Sequence, residues 1–280
     1  MVAVKRARFA GACYGVKRAL EMAETASQQT GTVQSLGPLI HNPSVVSHLQ
    51  QAGVSVADSV SDITADRVII RSHGVGPQVR RKLDEKDVQI IDATCPHVFR
   101  AQQAAAEVAR DCGTVIVVGD AKHPEVEGLR EYAEQAGGQV FIVGSADSLP
   151  DDLPDAVGVI VQTTQNRALF DAVIAALHAR GIETEVRDTI CTATMKRQAA
   201  AAELARQVDA LVVIGGHNSS NTTRLFEICK KICPKTVHIE SASELDPAFF
   251  DGCDAVGVTA GASTPEDQII EVMDYLRDLS

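Results

Sequence analysis

"DATCPHVFRAQQAAAEVAR", residues 92–110, and "DTICTATMKRQAAAAELAR", residues 188–206, align without a gap: Asp, Cys, Gln, an alanine run, Glu and Arg recur in step. The correspondence continues into the next segment, where "TVIVVGD" (114–120) overlays "ALVVIGG" (210–216). A more diverged third copy starts at Cys13, "CYGVKRALEMA" matching "CPHVFRAQQAA" and "CTATMKRQAAA". Alanine-rich helices resemble one another by composition, but a cysteine at the same place in all three copies points to one ancestral unit used three times. The repeat predicts units over 14–96, 97–192, and 193–280 together with 1–13.

The type of unit follows from the hydrophobic pattern. The runs "RVIIRSHG" (67–74), "VQIIDATC" (88–95), "TVIVVGD", "VGVIVQTT" (157–164), "ALVVIGGH" (210–217) and "AVGVTAGA" (255–262) are short and rich in Val and Ile. Such runs form parallel strands buried on both faces. Between them lie helical patterns, with Val16, Ala19, Leu20 and Ala23 on one face, and Leu169, Val173 and Leu177 on another. The expected fold is α/β, with three pseudo-equivalent α/β units of mostly parallel sheet. Ligands in such folds collect at the carboxyl ends of the strands.

Bulk properties narrow the function. The 280 residues are 45% hydrophobic and 22% charged, the composition of an ordered globular protein. No segment has the length and apolarity of a signal peptide or a membrane span, so the expected location is cytoplasmic and no membrane is expected as a partner. No appended domain is expected after the last helical pattern. The net charge of −11 opposes sequence-independent binding to nucleic acid or anionic lipid. In a reducing compartment, seven cysteines with no pairing pattern are buried thiols, metal ligands or catalytic thiolates.

Cys13, Cys95 and Cys191 each start a helix, where the dipole and the free N–H groups favour the thiolate, the metal-binding form. Three units around an axis would bring the three thiols toward one point. Three thiolates suit zinc, which would need a fourth ligand in a closed structural site, or an iron-sulfur cubane with one iron left open. Cys112, Cys229, Cys233 and Cys253 have no equivalents in the repeat and are expected to pack in the core. Lys17, Arg18, Arg100, Lys196 and Arg197 follow the three cysteines at similar distances, in a part of a helix where acidic residues are preferred. They offset a cluster's charge, serve as a docking place for an acidic electron donor, or lie on ordinary solvated faces.

The other strand ends carry polar chemistry. "LIHNPS" (39–44), "RSHGVG" (71–76) and "AKHPEVEG" (121–128) present His41, His73 and His123 in loops. "GGHNSSNTTR" (215–224) places Asn218, Ser219, Ser220 and Asn221 where a helix begins, and "TAGASTPED" (259–267) places Ser263 before another. Hydroxyls, amides and backbone N–H groups at helix N-termini bind phosphate without many lysines, although each is also an ordinary helix cap. Glu125 is a candidate proton donor if burial raises its pKa, and Thr163 in "QTTQN" a candidate relay.

The ordered set "GACYGVKRA", "LIHNPSVV", "RSHGV", "DATCPHV", "HPEVEG", "QTTQN", "NSSNTTRL" and "TAGASTP" closely resembles the 4-hydroxy-3-methylbut-2-enyl diphosphate reductase family (IspH, or LytB) over nearly the whole chain. The resemblance implies a trefoil of three α/β units around a central 4Fe-4S cluster held by Cys13, Cys95 and Cys191, with one iron open to substrate. It implies diphosphate contacts from His41, His73, Ser219, Ser220, Asn221 and Ser263, and places His123, Thr163 and Glu125 near the reacting hydroxyl. The implied reaction is a two-electron, two-proton reductive dehydroxylation giving isopentenyl and dimethylallyl diphosphate, with reduced ferredoxin or flavodoxin as donor. One departure concerns Ala12, where family members usually have Phe. A regulatory iron-sulfur protein would need the cysteines but not His123, Glu125 or the Ser/Asn cluster; a zinc-dependent or metal-free phosphate-binding enzyme would need the anion groups but no visible cluster.

Overall fold

A computed structural model describes residues 2–279; Met1 and Ser280, at the edges of the third expected unit, lie outside them. In chain order the elements are β1 (Ala3–Arg6), α1 (Tyr14–Ser27), β2 (Val33–Leu36), α2 (Pro43–Gln51), β3 (Val54–Ala57), β4 (Arg67–Ile70), α3 (Pro77–Asp84), β5 (Gln89–Asp92) and α4 (Pro96–Cys112). There follow β6 (Thr114–Val118), α5 (Pro124–Gln135), β7 (Gln139–Val143), β8 (Ala156–Val161), α6 (Arg167–Ala179), β9 (Glu183–Arg187) and α7 (Thr192–Ala205). The last are β10 (Ala210–Ile214), α8 (Ser220–Ile232), β11 (Thr236–Ile239), β12 (Ala255–Ala260) and α9 (Glu266–Asp278). All six apolar runs form strands, but β5 lies at a sheet edge with Gln89 and Asp92 exposed, so it is not buried on both faces as expected. The chain divides into two compact units, one comprising residues 1–17, 41–45 and 192–280, the other residues 18–40 and 46–191.

The first unit contains one sheet in the order β11-β10-β12-β1, parallel throughout. Its central strand β10 is buried at every position, as a strand covered on both faces must be. Because successive side chains alternate, Val212 and Ile214 pack with Val258, Ile269 and Val272, while Leu211 and Val213 pack with Ala201, Leu225 and Cys229.

The second unit contains two sheets, β3-β2-β4-β5 and β7-β6-β8-β9, again parallel. Taking β10, β11, β12 and β1 as first to fourth, all three sheets share one order: second, first, third, fourth. The second strand of each ends in a serine-initiated 3-10 turn over Val60–Asp62, Ala146–Ser148 or Ala242–Glu244. The N–H of Ser59, Ser145 or Ser241 donates to the side chain of Asp62, Ser148 or Glu244, three residues on. The fourth strand of each sheet leads to one cysteine: β1 to Cys13, β5 to Cys95, β9 to Cys191. The first strands lead to the His41, His123 and Asn218–Asn221 loops, and the third strands to His73, Thr163 and Ser263.

Candidate active site

Each cysteine is fixed by the loop that follows the third strand of its own sheet. The Cys13 N–H donates to the Ala262 carbonyl (3.1 Å), that of Cys95 to Ser72 (3.0 Å), and that of Cys191 to Thr163 (2.9 Å). Cys95 is the N-cap of α4, with extended backbone and no capping bond from its side chain. Cys13 and Cys191 immediately precede α1 and α7. All three lie outside any disulfide and are partly exposed, whereas Cys229, Cys233 and Cys253 are buried among apolar side chains. Burial pushes the Cys229 thiol up to about 12, so it stays protonated and inert. Cys112, half-buried at the end of α4, is also pushed upward by burial. The three repeat cysteines thus share a partly exposed place just before or at the start of a helix that the other four lack. Ala12, half-buried between Gly11 and Cys13, stands where the family resemblance leads one to expect Phe.

In the second unit a carboxyl group is built into the same framework. Glu125, in the first turn of α5, is 2% exposed. One carboxyl oxygen accepts the Thr163 N–H (2.6 Å) and the other the Thr163 hydroxyl (2.9 Å). Burial pushes its pKa up to about 7 against the opposing effect of these two bonds. The carboxyl thus titrates near neutrality, as an acid that delivers a proton must. His123, the N-cap of α5, accepts the Glu125 N–H at Nδ1 (3.2 Å), so in the neutral ring the proton sits on Nε2. The His73 and His123 rings meet edge to face with centroids 5.5 Å apart. Since Thr163 also holds the Cys191 N–H, Glu125, Thr163 and Cys191 form one hydrogen-bonded series.

In the first unit the hydroxyl and amide groups converge on the start of α8. Ser219 caps this helix by accepting the Thr222 N–H (3.4 Å) and the Thr222 hydroxyl (3.1 Å). Asn221 is 7% exposed, and its Nδ2 is buried with no hydrogen-bond partner in the protein. A buried amide donor without an acceptor is costly unless a ligand supplies one. Ser263 donates from Oγ to the His41 carbonyl (3.0 Å), and Asn42 donates from Nδ2 to the Ser263 carbonyl (3.0 Å). These bonds set His41 and Ser263 side by side.

The family model described as LytB protein matches residues 4–277. The chain belongs to the LytB family. It is 45% identical over 276 residues to the 4-hydroxy-3-methylbut-2-enyl diphosphate reductase of Geotalea uraniireducens, covering 98% of this chain and 96% of that protein. It is 46% identical over 274 residues to the enzyme of the same name from Geobacter sulfurreducens, covering 97% and 96%. Among solved structures, one of (E)-4-hydroxy-3-methyl-but-2-enyl diphosphate reductase, described as the terminal enzyme of the non-mevalonate pathway, has 40% identity and a TM-score of 0.72. It covers 99% of this chain and 100% of its own. The reductase structure from Plasmodium falciparum has 26% identity and a TM-score of 0.90, covering 98% of this chain and 88% of its own.

For this LytB chain the polar residues singled out in the sequence fall into two groups, one in each compact unit. His41, Ser219, Ser220, Asn221 and Ser263 share the first with Cys13; His73, His123, Glu125 and Thr163 share the second with Cys95 and Cys191. Sequence reasoning missed Asn42, which is 2% exposed and also accepts the Val45 N–H (3.2 Å). Its signal was present, an Asn before the Pro that opens α2, where an amide serves as a cap. Among the described residues no helix is long and apolar enough to cross a membrane.

Proposed function

We infer that this LytB chain is a 4-hydroxy-3-methylbut-2-enyl diphosphate reductase (EC 1.17.7.4), the terminal enzyme of the non-mevalonate pathway. The allylic C–O bond of the substrate breaks, two electrons and two protons enter, and water leaves. Protonation at one or the other end of the allyl system gives isopentenyl or dimethylallyl diphosphate. Cys13, Cys95 and Cys191 hold a 4Fe-4S cluster, a role supported by their equivalent places after the fourth strand of each sheet. A cluster held by these cysteines would supply one-electron transfer and Lewis acidity.

The protein's own residues orient the substrate and provide the proton. Asn221, Ser219, Ser220 and Ser263, with His41 and His73, bind the diphosphate; the buried, unpartnered Asn221 amide supports this assignment. Anchoring the diphosphate holds the hydroxyl in register with the reacting groups, an effect of orientation. Glu125 donates the proton, Thr163 holds both of its oxygens, and His123 presents Nε2–H toward substrate. The observation that carries this reading is the buried carboxyl of Glu125, shifted to about 7 and bonded to Thr163, whose carbonyl anchors the Cys191 N–H.

The electron donor we propose is a small one-electron carrier of the ferredoxin or flavodoxin type, docking near the exposed Lys17, Arg100 and Lys196 in a cytoplasmic setting. Charge reversal at Arg100 and Lys196 should slow donor-dependent reduction more at low than at high salt. The test of the whole reading is iron and sulfide content with anaerobic turnover. Wild-type protein should carry about four irons per chain by the cubane stoichiometry. Cys13→Ala, Cys95→Ala and Cys191→Ala should each lose cluster, while Cys229→Ala keeps it. Cluster loss that does not distinguish these cysteines would overturn the assignment.

A further inference from the structure

Two of the basic residues that follow the cysteines are not surface charges. Arg18, five positions after Cys13, is half-buried and donates from both terminal nitrogens, to the Thr94 carbonyl (3.1 Å) and the Asp92 carbonyl (3.3 Å). Those carbonyls belong to the segment that delivers Cys95. Arg197, six positions after Cys191, is 5% exposed and donates to the Gly11 carbonyl (2.6 Å) and to Ala193 of its own helix (3.3 Å). Gly11 lies two residues before Cys13, with φ +92°, a conformation that L side chains rarely adopt, and a side chain there would meet Ile269 and the Thr264 carbonyl. The tight bend aims the Gly11 carbonyl at the guanidinium.

Burying a guanidinium near the start of a helix is unfavourable on two grounds, desolvation and the helix dipole. Such a charge is retained where its fork reaches several backbone carbonyls at once. Arg100, the counterpart of Arg18 after Cys95, is exposed and donates to Pro96 of its own helix and pairs with His97. The segment before Cys191 is held by other means: Thr189 bonds to both the N–H and the carbonyl of Val161, and Asp188 accepts from the Ile190 N–H and pairs with Arg167.

We propose that Arg18 and Arg197 are positioning residues, each fixing through its guanidinium fork the backbone that presents the cysteine of another repeat: Arg18 that of Cys95, Arg197 that of Cys13. Shape rather than charge is what they contribute, which separates them from Lys17, Arg100 and Lys196. The proposal rests on the reading of Cys13 and Cys95 as cluster ligands, but its first test does not.

Amide hydrogen exchange on the cluster-free chain should rise at least about tenfold over residues 10–13 in Arg197→Gln and over 92–95 in Arg18→Gln, since each lost charge-assisted bond is worth about one decade of local opening. Strands 114–118 and 156–161 should stay at wild-type protection, showing that the chain is folded. Arg197→Lys and Arg18→Lys, which keep the charge but not the fork, should recover only part of the protection. In anaerobically reconstituted protein the same variants should shift the cluster's midpoint potential and release iron to a chelator faster, while Arg100→Gln and Lys196→Gln match wild type. Full rescue by lysine, or equal effects from Arg100→Gln, would overturn the proposal. Loss of cluster from Arg18→Gln with unchanged exchange at 92–95 would also overturn it. Failure of Cys13→Ala or Cys95→Ala to lose iron would instead sink the ligand assignment and leave the exchange result standing.

Discussion

Glu125 concentrates the chemistry at the scale of single residues. Removing its acidity while keeping its shape, as in Glu125→Gln, should lower turnover by about 100-fold or more, with iron content and substrate binding retained. Near-normal turnover would exclude it as the proton donor. With its pKa at about 7, the wild-type rate should fall on the alkaline side of neutrality, as the acid needed for proton delivery is lost. Thr163→Val removes the hydroxyl bond that stabilises the carboxylate, so the alkaline limb should move to higher pH. The pH profile of the single variant, read beside the wild type, checks the sign. Residue types at this scale were legible in the sequence because each chemical group has few alternatives: a Glu two places after a His and a Thr at a strand end were named before any contact was visible. Arg18 and Arg197 were legible as basic residues but not as clamps. Their partners lie far away in sequence, and a carbonyl acceptor has no sequence signature.

Among the secondary elements, Val- and Ile-rich runs announced strands, the edge strand β5 included, and the more polar strands did not announce themselves. β4, β6, β8, β10 and β12 are continuous apolar runs with nearly every position buried. β1, β7 and β9 are edge strands with mixed exposure, and nothing in "AVKR" or "ETEVR" separates them from a solvated loop. β2 is central yet reads "VQSL", because the Gln34 side chain accepts the N–H groups of Thr64 and Ala65 at Oε1. The repeat was visible in the helices that follow the cysteines, whereas the three serine-initiated 3-10 turns, equally regular, share too few residues to be aligned by eye. Core strand β10 offers a direct test. Leu211→Ala should destabilise the protein by about 2–5 kcal/mol, measured by denaturant unfolding, because the residue is fully buried between helices.

Across the whole molecule, burial of Glu125 makes stability depend on pH. Its pKa rises from 4.5 in the open chain to about 7 when folded, so the folded state holds a proton that the unfolded state has released between those values. The associated stability is full below 4.5 and is lost as pH rises through 7, by an amount on the order of 3 kcal/mol. Denaturant midpoints of cluster-free protein at pH 4.5 and pH 8 should show this loss in wild type, and Glu125→Gln should flatten it.

Strand order has one further consequence, for how the protein is made. Ala3 pairs with Ala255 and Arg6 with Val258, so the first strand to leave the ribosome waits without its neighbour until residues 255–260 have been synthesised. By then the sheets over 33–92 and 114–187 have had time to form on the nascent chain. Cys95 and Cys191 are therefore in place while Cys13 still hangs from an unpaired segment. A site built from all three thiols is complete only once residues 255–260 have been made and paired with the first strand.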